Sequence, residues 1–177
     1  AFLGRGRLGP IYAGFATLLV LMAGPSLKFA ERQASRQAMA ALVTDITARD
    51  PAPRLFVYQG PVYLYSAFGT TPPTPLVFPM HLFHAPERDT SHLDTAGEVG
   101  KVLAWRPTVI VRAHDFPPGL LNPETVALVD AYQARCRLWF TRAIIDYYGP
   151  QKIDVYGDCP PRADPARSPR GGAAYAE

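Results

Sequence analysis

Residues 8–27, LGPIYAGFATLLVLMAGPSL, carry no formal charge, and the run is about as long as a helix crossing a bilayer's hydrocarbon core. A helix of a water-soluble domain is rarely apolar all round for so long. Gly9, Pro10, Gly14, Gly24 and Pro25 weaken a helix in water but are tolerated in membranes. Arg5 and Arg7 flank the run on one side and Lys28 on the other, with Tyr12 and Phe29 at the positions of interfacial aromatic anchors. A cleaved signal peptide is the rival reading. No small-x-small cleavage site follows promptly, however, because SLKF at 26–29 leads directly into a charged segment. The expectation is therefore a membrane-spanning segment within residues 1–28, from which everything else hangs.

At 177 residues, the chain leaves room behind such a span for one ordinary domain. Nineteen prolines and fourteen glycines predict many turns and extended connections, while 48% apolar residues exclude a wholly disordered chain. The pI near 9.0 invites a nucleic-acid reading. A net charge of only +3, with arginines scattered among acids, argues against it. The chain opens at Ala1 without an initiator methionine, which suggests a processed protein or the carboxy-terminal piece of a longer one. Lys28, Arg32 and Arg36 after the span, against Arg5 and Arg7 before it, mildly favour a cytoplasmic domain.

Along the chain, apolar residues at helical spacing predict an amphipathic stalk helix over residues 29–53, stopped by DPAP at 50–53. A small α/β domain is expected over 54–159. RLFVY at 54–58 reads as a short strand bounded by Gly60-Pro61, VYLYSAFG at 62–69 as a short helix or strand, and LVF at 76–78 as a second short strand. Residues 80–93 read as loop. A helix capped by Asp94 runs to Arg106-Pro107. TVIVRA at 108–113 has the branched apolar run of a buried central strand. Asn122-Pro123-Glu124 opens a further helix. The stretch from Cys136 to Cys159 reads as an antiparallel hairpin turning near YYGP at 147–150, and residues 160–177 as a disordered tail. The fold class is α/β: one transmembrane helix, then a small mixed domain ending in a hairpin.

No P-loop, dinucleotide-binding glycine pattern or nucleophile elbow is present, so no cofactor is assigned. His81, His84, Glu87, Asp89 and His92 can be drawn as a metal site, but their proline-flanked segment favours solvated loop histidines. His114 and Asp115 follow the central strand, where α/β sheets tend to hold ligands, and are candidate ligand contacts without an identifiable nucleophile. Tyr63 and Tyr65 belong to an aromatic-rich region with Phe56, Tyr58, Phe68, Phe78 and Phe83, suited to stacking on sugars or resting on lipid, or simply to filling the core of a small sheet. Cys136 and Cys159 fall at the open end of the hairpin and would form a cross-strand disulfide in an oxidising compartment. In a cytoplasmic domain they would be two buried thiols.

The order of an apolar span, a stalk, RLFVYQGPVYLYSAFGTTPPTPLVFP, then GKVLAWRPTVIV and IDVYGDC resembles the carboxy-terminal region of bacterial polytopic membrane glycosyltransferases of the protein mannosyltransferase and aminoarabinose transferase type. The resemblance covers residues 8–159 and rests on aromatic and proline punctuation. It implies a small α/β domain on the periplasmic face of the inner membrane, after a last spanning helix. It further implies an enzyme that transfers a sugar from a polyprenyl-phosphate carrier to an acceptor. The family's catalytic carboxylates lie in an early extracytoplasmic loop with no counterpart here, so no catalytic residue is carried over. The rivals are a single-pass accessory subunit docking on other membrane proteins, and a periplasmic binding domain released by signal cleavage.

Overall fold

The computed structural model of the chain describes residues 9–23, 29–146 and 149–159. Residues 29–146 and 149–159 are built on a four-stranded mixed sheet of order β1-β2-β4-β3. The strands are β1 (Leu55–Val57), β2 (Val109–Ala113), β3 (Arg137–Asp146) and β4 (Gly149–Gly157). β1 and β2 run parallel, and β4 is antiparallel to both β2 and β3. A parallel pair needs both faces covered, which explains the unbroken apolar runs LFV and VIV.

Six helices are described: α1 (Gly9–Ala23), α2 (Phe29–Thr47), α3 (Leu64–Ala67), α4 (Met80–Phe83), α5 (Thr95–Ala104) and α6 (Pro123–Gln133). One face of the sheet, through Leu55, Val57, Val109, Val111 and Val155, packs on Met39, Leu42 and Ile46 of α2 and on Leu64 and Tyr65 of α3. The alternate residues Phe56, Tyr58 and Ile110 face Leu82 and Phe83 of α4, Val99 and Val102 of α5, and Val129 and Tyr132 of α6. The period-two alternation of strand side chains thus feeds two separate cores.

Two contacts fix the direction of α2. Ser35 Oγ donates to Ile145 O at 2.7 Å, at the edge where β3 ends. At the opposite edge, where β1 and β2 begin, Thr108 Oγ1 donates to Asp50 at 2.6 Å and accepts from Arg54 N at 3.0 Å. α2 is therefore antiparallel to β1 and β2, and its first six residues run on past the level of Ile145 near the end of β3, roughly 9 Å at 1.5 Å per residue.

Several expectations need correction. Helix α1 has 15 residues, about 22 Å against a hydrocarbon core of about 30 Å, and no helix among the described residues is long and apolar enough to cross a membrane. Its side chains are nonetheless open: Ile11, Tyr12, Phe15, Leu18, Val20 and Met22 are each more than half exposed. Residues 8 and 24–27, which complete the apolar run, lie outside the described residues, as do positions 147–148 of the hairpin turn and the tail from 160.

The stalk helix ends at Thr47, short of residue 53 and just ahead of the DPAP stop, where Asp50 accepts from Thr108 Oγ1. LVF at 76–78 is irregular backbone, with Leu76 buried in a core and Val77 and Phe78 exposed. Its TPPT lead-in is held by Thr74, whose hydroxyl donates to buried Glu98 on α5 at 3.0 Å. That bond and Lys101 beside it hold the Glu98 carboxyl below its usual range, Lys101 contributing most. Residues 80–93 contain α4 and a 3-10 turn at Ala85–Glu87. Asp94 occupies the cap position of α5 but makes no capping hydrogen bond. Instead Asp89 accepts from Thr95 N at 2.9 Å while its own amide donates to Thr95 Oγ1 at 3.0 Å, a reciprocal clasp.

The α6 start is as its sequence predicts, with Asn122 Oδ1 accepting from Glu124 N and Pro123 in the first turn. Cys136 and Cys159 are joined in a disulfide, their Cα atoms 4.2 Å apart. The bond closes the open end of the β3–β4 hairpin, whose register shifts at Trp139.

Candidate functional site

The carboxy ends of β1 and β2 open into a cleft of about 640 Å³, where ligands bind in α/β sheets. Three segments wall it. The turn after β1 supplies Gln59 to Tyr63, α4 and its lead-in supply Phe78 to His81 and Phe83, and the loop after β2 supplies Phe116, Pro117 and Leu120. Gly60 lets the first turn lie tight on the sheet: a Cβ there would stand 3.1 Å from Val111 Cγ1. The third wall is fastened at its far end by Asn122 N, which donates to Phe83 O at 2.7 Å. Phe116 stacks edge-on against Phe83 with ring centres 4.9 Å apart.

The lining is predominantly apolar, with few polar side chains. Gln59 is 2% exposed. Its Oε1 accepts from Arg112 Nε at 3.2 Å, whereas its Nε2 has no partner among the described residues. His81 Nδ1 stands 3.4 Å from Glu87 Oε2 on another wall. Arg112 is turned from the cleft into a network on α6, donating to Asp130 and, at 3.1 Å, to Gln133, with its guanidinium over the Tyr58 ring. Burial pushes the Tyr58 phenol up to about 12, so it stays protonated and pairs with Thr125 at 2.9 Å.

Of the residues singled out from sequence, Tyr63 lines the cleft and is 40% exposed. Tyr65 does not: it is buried in the α2 core, where its hydroxyl accepts from Val57 N at 2.9 Å and burial raises its pKa to about 12. His114 stands beside the cleft and engages Asp154, not its neighbour Asp115. Asp154 lies 2.9 Å from Nδ1, while Asp115 is 4.0 Å from Nε2. Asp154 is 7% exposed and also accepts from Thr141 Oγ1 at 2.5 Å. The hydrogen bond that His114 donates to Asp154 raises the His114 pKa. Nδ1 donates to the carboxylate, which leaves Nε2 as the outward nitrogen, an arrangement suited to taking or giving a proton. No Ser, Thr or Cys among the described residues hydrogen-bonds to that nitrogen, so the pair lacks a nucleophile.

His81, His84, Glu87, Asp89 and His92 do not converge, and no group of three or more potential ligands is placed to hold a metal among the described residues. Asp89 is committed to Thr95, which holds its carboxyl below the usual range chiefly through the backbone hydrogen bond. Gln59 and Asp154 escape a sequence reading. The one cue for Gln59 is its place between a strand and Gly60-Pro61; Asp154 becomes meaningful only once β4 is paired with β2. No protein-family model matches the chain, and no curated protein or solved structure matches it.

Proposed function

We propose that the chain is the carboxy-terminal part of a membrane glycosyltransferase that moves a sugar from a polyprenyl-phosphate carrier at the extracytoplasmic face, with the α/β domain contributing no catalytic carboxylate. In this reading α1 is the core of a membrane-embedded segment completed by the rest of residues 8–27. The observation that carries it is one of placement. The apolar cleft lies at the same sheet edge as the amino end of α2, five residues from an apolar helix with exposed sides. A disulfide in the same domain supports an oxidising compartment. A domain so tethered would cap the membrane face at which a lipid-linked sugar meets its acceptor.

The exposed apolar rim of Val77, Phe78 and Leu120 favours one other reading, a single-pass accessory subunit docking through that rim. Intact mass of the protein from its native membrane, with and without reduction, separates the two. A chain much heavier than 19.4 kDa, whose sugar transfer fails when residues 29–159 are deleted, supports the glycosyltransferase. A native chain of 19.4 kDa refutes it and turns attention to partner subunits.

A further inference from the structure

We propose that the cleft at the carboxy ends of β1 and β2 takes an acyl chain of an ester-linked membrane lipid, with the ester carbonyl accepting a hydrogen bond from Gln59 Nε2. This rests on the membrane-tethered reading above and adds a ligand to it. Three observations select the ligand class.

The first is the balance of the lining. Val62, Phe78, Met80, Phe83, Phe116 and Leu120 form walls suited to hydrocarbon. A sugar, with a hydroxyl on nearly every carbon, would leave most of its polar groups unpaired there.

The second is charge. Among the described residues no lysine or arginine lines the cleft, and Glu87 does. A polyprenyl phosphate, whose head is an anion, would find no permanent cation there and a single imidazole, His81, whose Nδ1 already stands 3.4 Å from the Glu87 carboxylate. A neutral ester carries no such penalty, and its charged headgroup can remain in the interface outside.

The third is the unpaired amide. Gln59 is nine-tenths buried or better, lines the cleft, and has its oxygen already taken by Arg112, which fixes the amide so that the nitrogen is the free end. A buried donor without a partner is costly unless something supplies an acceptor. A carbonyl at the head of an apolar chain is the simplest group that does so without adding charge.

Geometry supplies the route. Tyr63 borders both this cleft and a groove running along Glu31, Ser35 and Met39 of α2. The cleft therefore neighbours the turns of α2 that lead back to α1. With α1 in a bilayer, the six residue steps from Ala23 to Phe29 span at most about 22 Å. That keeps the cleft within reach of the lipid surface.

The test is photolabelling of the full native protein in phosphatidylcholine vesicles carrying a diazirine on the acyl chain, with adducts mapped by mass spectrometry. The expected result is labelling of peptides spanning 59–63, 78–83 and 116–120, in addition to α1. Gln59→Leu keeps the side-chain size and should lower cleft labelling roughly three- to tenfold, the worth of one hydrogen bond, with α1 labelling unchanged. Ala113→Trp, filling the cleft, should abolish cleft labelling while the disulfide still forms.

Labelling confined to α1, or cleft labelling indifferent to both substitutions, would overturn the proposal. So would competition by a polyprenyl phosphate but not by excess unlabelled phosphatidylcholine. The readout contains no sugar transfer. A native chain of 19.4 kDa with a labelled cleft would therefore sink the glycosyltransferase reading alone, and a labelled α1 with a bare cleft would sink this one alone.

Discussion

Replacing Tyr65 with Phe removes one oxygen atom and tests how the sheet's β1 edge is closed. β1 has only three residues, and beyond it no further strand is paired among the described residues. The amide of Val57 donates to the Tyr65 hydroxyl at 2.9 Å, where a further strand would offer a carbonyl. Val57 is 1% exposed and Tyr65 4%, so water has little access to take the hydroxyl's place. The ring packing survives in the variant. What is lost is the acceptor, and a buried N–H left unpaired costs about 1–3 kcal/mol. Against a total stability of about 5–15 kcal/mol for an ordinary domain that is a large fraction, and it corresponds to a fall in melting temperature of roughly 3–9 °C. Urea unfolding gives the global figure. Amide hydrogen exchange gives the local one, since Val57 should lose protection before the amides of β2 do. A variant that melts with the wild type and keeps Val57 protected would show that the edge amide does not depend on Tyr65.

Cys136→Ser opens a cross-link between residues separated by 23 positions and should destabilise the oxidised protein by about 3 kcal/mol; wild-type protein under reductant should melt with the variant, and an unchanged transition would remove the claim. Asp154→Asn should bring the His114 pKa down toward its ordinary value near 6.5, read from imidazole resonances in an NMR titration. Because the folded pKa is raised, the pair's contribution is fully present below the unfolded pKa and is lost as pH rises through the folded one. The stability difference between wild type and Asp154→Asn should shrink over that window; a difference constant with pH would refute the pairing. Gly157→Ala would place a Cβ 2.1 Å from the Trp139 ring, and the forced shift should cost about 1–3 kcal/mol in urea unfolding.

What was legible in the sequence shares one property: a short-range chemical reason. Residues 108–113 read as a central strand because branched residues fill both faces, and Asn122-Pro123-Glu124 carries its own cap. The hairpin and its disulfide follow from two cysteines at equal reach from positions 147–148, just ahead of Gly149-Pro150. What was not legible depends on distant partners. Leu76 is buried without belonging to a strand because Thr74 is anchored by Glu98 across 24 positions. The clasp on α5 comes from Asp89, not the adjacent Asp94. Tyr63 and Tyr65 look alike in sequence, yet one lines the cleft and the other fills the opposite core. His114 is a reasonable candidate from its place after β2, but the group that orients it is 40 positions away, on a strand whose register local patterns do not specify.

The disulfide also decides how this protein would answer a pulling force. A load applied between Phe29 and Cys159 passes from Cys136 to Cys159 through a covalent bond, so β3 and β4 carry none of it. The 23-position segment between the sulfurs adds nothing to the contour, an extension shorter by about 80 Å than in the reduced chain. While oxidised, the hairpin is mechanically silent, and β1, β2 and the helices before Cys136 yield alone. Reduction would put the longest two strands of the sheet under tension, making thiol chemistry a control on the chain's extensibility.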